Sequence, residues 1–109
     1  MPQVFITIGN SDDRLTQSGW ANFVSNLDTL LRAHATTVHG QFFSRPDSRY
    51  QSACWSVEIP DVRVEQVKQR AAKIAFMFDQ DSIAWNPSTT EFISAFKPRE
   101  GEPFDVRKD

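Results

Sequence analysis

Two stretches of this chain repeat apolar residues at the spacing of an amphipathic helix, and each stripe needs a surface to cover it. The first stripe comprises Trp20, Phe23, Val24, Leu27, Leu30, Leu31 and His34, and the second Val64, Val67, Ala71, Ile74, Ala75 and Phe78. Thr16 is predicted to cap the first helix, with Leu15 folding back onto Trp20. Pro60-Asp61 is predicted to open the second helix, and residues 79–81 to end it. Two such stripes require a sheet face as their partner layer.

Four segments are rich in β-branched and aromatic residues and have the length of strands. They are residues 3–8 (QVFITI), 36–43 (TTVHGQFF), 53–59 (ACWSVEI) and 82–85 (SIAW). In the first, Val4, Ile6 and Ile8 are predicted to point one way, while Phe5 and Thr7 point the other. Turn-forming residues 44–49 predict a hairpin between the second and third segments. Residues 86–89 (NPST) predict a turn, and residues 90–95 either a fifth strand or a bulged continuation of the fourth.

The predicted order is strand, helix, strand, strand, helix, strand, which is typical of an α+β fold of the ferredoxin-like type. Its four or five mainly antiparallel strands form one sheet, and both helices cover one face, as a two-layer sandwich. Right-handed crossovers place the first and third strands in the centre. With 109 residues the chain suits one domain. We expect residues 1–96 to form it and the charged residues 97–109 to be a loosely held tail.

Charge and cysteine content argue against several classes of protein. The net charge is −2 and the basic residues are scattered, so the concentrated basic face of a nucleic-acid binder is missing. The sequence has neither a leader-like start nor an apolar run of membrane-spanning length. Its single cysteine, Cys54, cannot form an internal disulfide and suits a reducing compartment. We therefore expect a cytoplasmic protein without nucleic-acid or membrane partners.

Three polar loops are predicted to meet at one end of the sheet: residues 9–13, the hairpin tip 44–51 and residues 79–82. They carry the predicted ligand-binding residues, which are Asn10, Asp12, Asp13, Arg45, Arg49, Gln80, Asp81 and Ser82. Three of these residues, Asp12, Asp13 and Asp81, are carboxylates, which are suitable ligands for a hard cation. An anion would instead be bound by Arg45 or Arg49. The alternative is that these residues are helix caps and solvated loop residues, since no metal-ligand spacing is met.

A second group, His39, Cys54 and Glu58, is predicted to lie on the sheet face opposite the helices. A thiol beside an imidazole and a carboxylate is the arrangement of a catalytic nucleophile. The alternative is that Cys54 is a small apolar residue of the interior. The grouping depends on the hairpin register, because a slip of one residue reverses the facing of a strand. The sequence has no Gly-rich phosphate loop, nucleophile elbow or paired Cys or His motif, so we assign no catalytic residue, metal or cofactor.

The aromatic residues are divided between the core and the uncovered sheet face. Those predicted to pack in the core are Trp20, Phe23, Trp55, Phe78 and Trp85. We predict that the uncovered face carries Phe5 and Phe43, with these polar neighbours: Thr7, Gln41 and Ser56. Such a face suits a homodimer or a protein partner, and simple exposure is the alternative.

Three short segments carry a resemblance to a known family. They are residues 19–23 (GWANF) in the first helix, residues 37–41 (TVHGQ) in the second strand, and residues 78–83 (FDQDSI) before the fourth strand. By the order of these motifs, the chain from Ile8 to Trp85 resembles a family of small uncharacterised bacterial domains, although its hairpin departs from the family's pattern. The resemblance implies the ferredoxin-like fold and points to Gln80 and Ser82 as groups that bind the rim backbone or a ligand. It implies no reaction type.

Taken together, these features favour a small non-enzymatic binding or interaction domain, acting through the polar loops or the uncovered sheet face. Its expected partners are a second copy of the chain or another protein, with a small-molecule ligand as a further option. One alternative is a small enzyme that uses Cys54 and His39 or a carboxylate–metal site. The other is an accessory or inhibitory protein, of the phage type, that docks on a larger target.

Overall fold

The structure of the chain is a computed structural model, and it describes residues 3–10, 14–45, 50–89 and 91–96. The elements are β1 (Gln3–Gly9), α1 (Gln17–His34), β2 (Thr37–Phe43), β3 (Ser52–Glu58), α2 (Asp61–Met77) and β4 (Ala84–Ser88). The predicted order of elements is confirmed. Thr16 caps α1 as predicted, because its side-chain oxygen accepts a hydrogen bond from Gly19 N–H at 3.1 Å. Within the described residues, neither helix combines the length and apolarity needed to cross a membrane.

The four strands form one antiparallel sheet in the order β2-β3-β1-β4. β1 pairs with both β3 and β4, and β2 pairs with β3. The first and third strands therefore occupy the centre, as right-handed crossovers require. This is the predicted α+β, ferredoxin-like arrangement, with two helices packed on one face of the sheet.

The core lies between the sheet and the helices. Val4, Ile6 and Ile8 of β1 face it and are at most 3% exposed, whereas Phe5 and Thr7 point to the uncovered face, as predicted. The largest fully buried side chains elsewhere in the described chain are Phe23, Leu27, Leu31, Trp55, Val57, Ile59 and Val67. Of the predicted core aromatics, three are buried and two are partly buried against the core, the latter being Phe78 and Trp85.

A β-bulge at His39 decides which side chains of β2 face the helices. β2 and β3 pair regularly except immediately around His39, which has no partner residue of its own. The extra residue shifts the alternation by one, so Gln41 and Phe43 lie on the helix side, next to α1. The prediction that these two residues occupy the uncovered face is therefore wrong, and Phe42 takes that place.

The fourth strand lies further along the chain than predicted. Asn86 and Pro87, which were expected to turn the chain, lie inside β4 and pair with Phe5 and Val4. Pro87 fits because β4 is an edge strand, where a missing N–H on the solvent side breaks no ladder hydrogen bond. Residues 91–96 form no strand, so the fifth strand is not found in the described part of 90–95. The predicted tail, residues 97–109, lies outside the described residues.

Candidate functional site

Three segments distant in sequence meet at one end of the sheet, which we call the rim. They are the residues after β1, the end of the β2–β3 hairpin, and the loop between α2 and β4. Asn10 N–H donates to the Gln51 carbonyl at 2.8 Å, which joins the first segment to the second. Arg14 Nη1 donates to the Asp79 carbonyl at 3.0 Å, which joins the first to the third. Direct hydrogen bonds therefore hold the rim together.

Asn10 holds the start of α1 to the hairpin. The residue is 4% exposed. Its Oδ1 accepts from Leu15 N–H at 3.1 Å, and its Nδ2 donates to Leu15 O at 3.0 Å and to Gln51 Oε1 at 3.3 Å. Both amide protons are thus used within the protein. Any contribution of Asn10 to ligand binding is therefore through the position of its neighbours.

Arg14 fixes the loop that follows α2. Besides the Asp79 carbonyl, its guanidinium binds Asp81 Oδ1 at 3.3 Å. Asp79 has a left-handed backbone, with φ of 56°, and Gln80 N–H donates back to Ala75 O at 2.9 Å. This is the Schellman termination of a helix, and a cation near the last carbonyls is favourable there. The helix cap and Arg14 together give the loop one defined shape.

A cleft of about 470 Å³ opens at the rim on the uncovered side of the sheet. Its lining residues, which define the rim cleft, are Thr7, Ile8, Gly9, Tyr50, Gln51, Ser52, Gln80, Asp81, Ser82 and Ala84. Within the described chain, the hydroxyls of Thr7, Ser52 and Ser82 have no hydrogen-bonded partner. They are therefore available to a ligand as both donors and acceptors. The volume lies in the range of small-molecule sites.

The predicted site residues are placed differently by the fold. Gln80, Asp81 and Ser82 line the rim cleft, and Asn10 lies behind it. Arg45 is exposed at the end of the hairpin and does not line the cleft. The other three predicted residues, Asp12, Asp13 and Arg49, lie outside the described residues.

The hard-cation site remains a prediction. In the described ranges, no three His, Cys, Asp or Glu side chains come close enough together to hold a metal ion. Two of the three predicted ligands, Asp12 and Asp13, are not among those residues. The described geometry therefore leaves Asp81 with Arg14 as its charged neighbour.

The sheet face opposite the helices, which we call the open face, carries the aromatic rings of Phe42 and Phe5. Phe42 lies with its ring over Gly40, where an added Cβ would approach the ring to 2.8 Å. Gly40 pairs with Ser56, which in turn pairs with Phe5 on the next strand. Ser56 is only 5% exposed on this uncovered face, consistent with a ring on either side, and its hydroxyl accepts from Gln3 Nε2 at 3.1 Å. The open face therefore carries two aromatic rings, one on either side of a nearly buried serine.

His39 and Glu58 pair on the open face, but Cys54 lies apart from them. The bulge brings His39 Nε2 to 3.0 Å from Glu58 Oε2. Cys54 pairs instead with Phe42 and Thr7, and it lies four residues along β3 from Glu58, which is about 13 Å. The predicted group of three is thus separated into a pair and a lone thiol, and neither His39 nor Glu58 is placed to act as a base for Cys54.

Comparison of the chain with models of known protein families and with curated proteins found no match in either. The resemblance to a family of small bacterial domains stays a prediction.

Proposed function

We propose that the protein is a small non-catalytic binding domain whose rim cleft binds a small, uncharged or cationic ligand with several hydrogen-bonding groups. The observation that carries this proposal is the loop 79–82, which the Schellman cap and Arg14 hold in one shape beside unpaired hydroxyls. A site whose groups are already in position loses little conformational entropy when a ligand binds.

The charges of the rim cleft favour a neutral or cationic ligand over an anion. Among the described lining residues Asp81 is the charged one, and its side chain is 84% exposed. The nearby cation, Arg14, already binds this carboxylate and the Asp79 carbonyl. An anion would therefore meet a carboxylate, whereas the ring of Tyr50 and the hydroxyls suit the faces of a polyol or an amine.

We further propose that the open face binds a second copy of the chain, and that the protein acts in the cytoplasm. Four strands of this length make a face of roughly 400 Å² per protomer, which suits a weak, concentration-dependent dimer. Phe5 and Phe42 are 36% and 58% exposed, and burial of both rings favours association. The single thiol, Cys54, agrees with a reducing compartment.

An NMR titration of the ¹⁵N-labelled full chain tests the rim cleft. The probes are glucose, glycerol and spermidine, with inorganic phosphate as the anion. We expect at least one of the first three to shift the amide signals of Gly9, Ser52 and Ser82, and phosphate to leave them unchanged. Arg14→Ala, which frees the loop, should weaken that binding, whereas Arg63→Ala at the opposite end of the molecule should not.

The rim proposal is contradicted if none of the first three probes shifts those signals. It is also contradicted if Arg14→Ala binds as the parent chain does while remaining folded. A response to phosphate alone would contradict the assigned charge of the ligand.

A further inference from the structure

A second cavity lies between α2 and the edge strand β4, on the helix side of the sheet. Its volume is about 440 Å³, and it shares only the loop 80–82 with the rim cleft. We call this cavity the α2–β4 groove. Its more buried lining residues are Ala71, Ala75 and Ile83, and Trp85 and Phe76 lie towards its two ends.

The groove exists because the apolar stripe of α2 has alanines at this point, whereas the other residues of the stripe have larger side chains. Ala71 and Ala75 are each 5% exposed and lie one helical turn apart, and the exposed Ala72 lies beside them. Three methyl groups leave the space between helix and strand unfilled. Phe76 is 85% exposed at its edge, although a phenyl ring is normally covered by its own protein.

The two ends of the groove differ in charge. At one end Lys68 Nζ lies 5.4 Å from the centre of the Trp85 ring, which holds the ammonium by a cation–π contact. Lys68 is the cation among the described lining residues. Phe76 lies about 12 Å along α2 from Lys68, the rise of eight residues, and Asp81 and Ser82 line the groove beyond the end of that helix.

From this geometry we infer that the α2–β4 groove is a second binding site, for a flat aromatic carboxylate with a hydrogen-bond donor at its far end. The ring system would lie on the alanines between Phe76 and Trp85, with its carboxylate on Lys68 and its donor on Asp81 or Ser82. This inference goes beyond the proposed function of the rim cleft.

An extended peptide fits the groove less well than a small molecule. A peptide would pair with the free edge of β4, as strands add to open sheets elsewhere. Pro87 lies in that strand and lacks an N–H, so the edge offers an incoming chain one donor fewer. The loop 80–82 also closes one end of the groove.

The test compares indole-3-acetate with indole-3-acetamide, which has the same ring but no charge, by NMR titration of the full chain. We expect the acid to bind roughly five- to tenfold more tightly than the amide, and to shift the signals of Ala72, Phe76 and Trp85. Lys68→Gln should remove this difference. Ala72→Leu fills the groove from an exposed position and should lower the affinity for indole-3-acetate at least tenfold. Ala33→Leu, at an exposed position of α1, should leave that affinity unchanged.

Equal affinities of acid and amide, or an unchanged affinity in Ala72→Leu, would overturn the inference. The inference would also be overturned if indole-3-acetate shifted the amide signals of Thr7 and Ser52 and left those of Ala72, Phe76 and Trp85 unchanged. Because Ala72 and Lys68 do not line the rim cleft, failure of the groove leaves the result for the rim unaffected.

Discussion

At the residue scale, Trp55 shows how a single contact lets a polar atom enter the core. The residue is fully buried in the centre of the sheet, yet its indole Nε1 donates to Asp28 Oδ1 at 3.0 Å. Arg32, one turn later on α1, binds both oxygens of the same carboxylate at 2.9 and 3.0 Å. Asp28 therefore accepts the hydrogen bond of the buried indole N–H, and the Arg32 guanidinium neutralises its charge at the surface.

We predict that Asp28→Ala lowers the free energy of unfolding by about 1–3 kcal/mol, because it leaves the indole N–H buried without an acceptor. The measurement is urea unfolding followed by Trp fluorescence. Glu65→Ala is the control, since it removes only a surface contact of 3.8 Å to Lys68 from a side chain that is 80% exposed. It should change the stability by less than about 0.5 kcal/mol. Equal losses in the two variants would show that the Trp55–Asp28 bond contributes nothing.

At the element scale, β2 and β4 are where the sequence-based predictions failed. Alternation along β2 predicted Phe43 on the open face, but the bulge at His39 reverses the facing after it. The bulge is set by pairing with β3, a contact between segments that a reading of one strand does not contain. In β4, Asn86-Pro87 has the composition of a turn. A strand can include this proline because β4 lies at the sheet edge, where a residue without an N–H is tolerated.

Deletion of His39 tests this account of β2. The pairs on both sides of the bulge should persist, because removal of the one unpaired residue restores a regular ladder with Phe42 still on the open face. We expect a folded protein with the parent pattern of inter-strand NOEs and a modest loss of stability. Deletion of Cys54, the control, removes a residue that is paired on both sides, so it forces a slip of one residue on part of β3 and should alter those NOEs or unfold the sheet. Equal behaviour of the two deletions would contradict the assigned bulge.

At the scale of the whole molecule, the winding of the chain was predictable, whereas the details of the rim were not. Two helical stripes and four strands predicted the ferredoxin-like order, and that order alone brings three distant loops to one end. The contribution of Arg14 was missed, because one Arg after two Asp residues in a polar loop looks solvated. Its role depends on where α2 ends in space, which the local sequence does not contain.

The proposed dimer makes a prediction at the same scale. Phe5→Glu combined with Phe42→Glu places two carboxylates on the open face, and we expect it to abolish concentration-dependent dimerisation in sedimentation velocity. Phe76→Glu changes an equally apolar and more exposed residue that lies on α2, so it should dimerise as the parent chain does. A parent chain that stays monomeric at millimolar concentration would contradict the dimer.

The most direct test of the rim cleft as a binding site is native mass spectrometry of the full chain purified from its own host. Wild type should retain a small adduct, which Thr7→Val and Arg14→Ala lose and Arg63→Ala keeps. A wild-type protein without any adduct, or an adduct that all three variants retain, would contradict the proposal that the loop held by Arg14 forms a binding site.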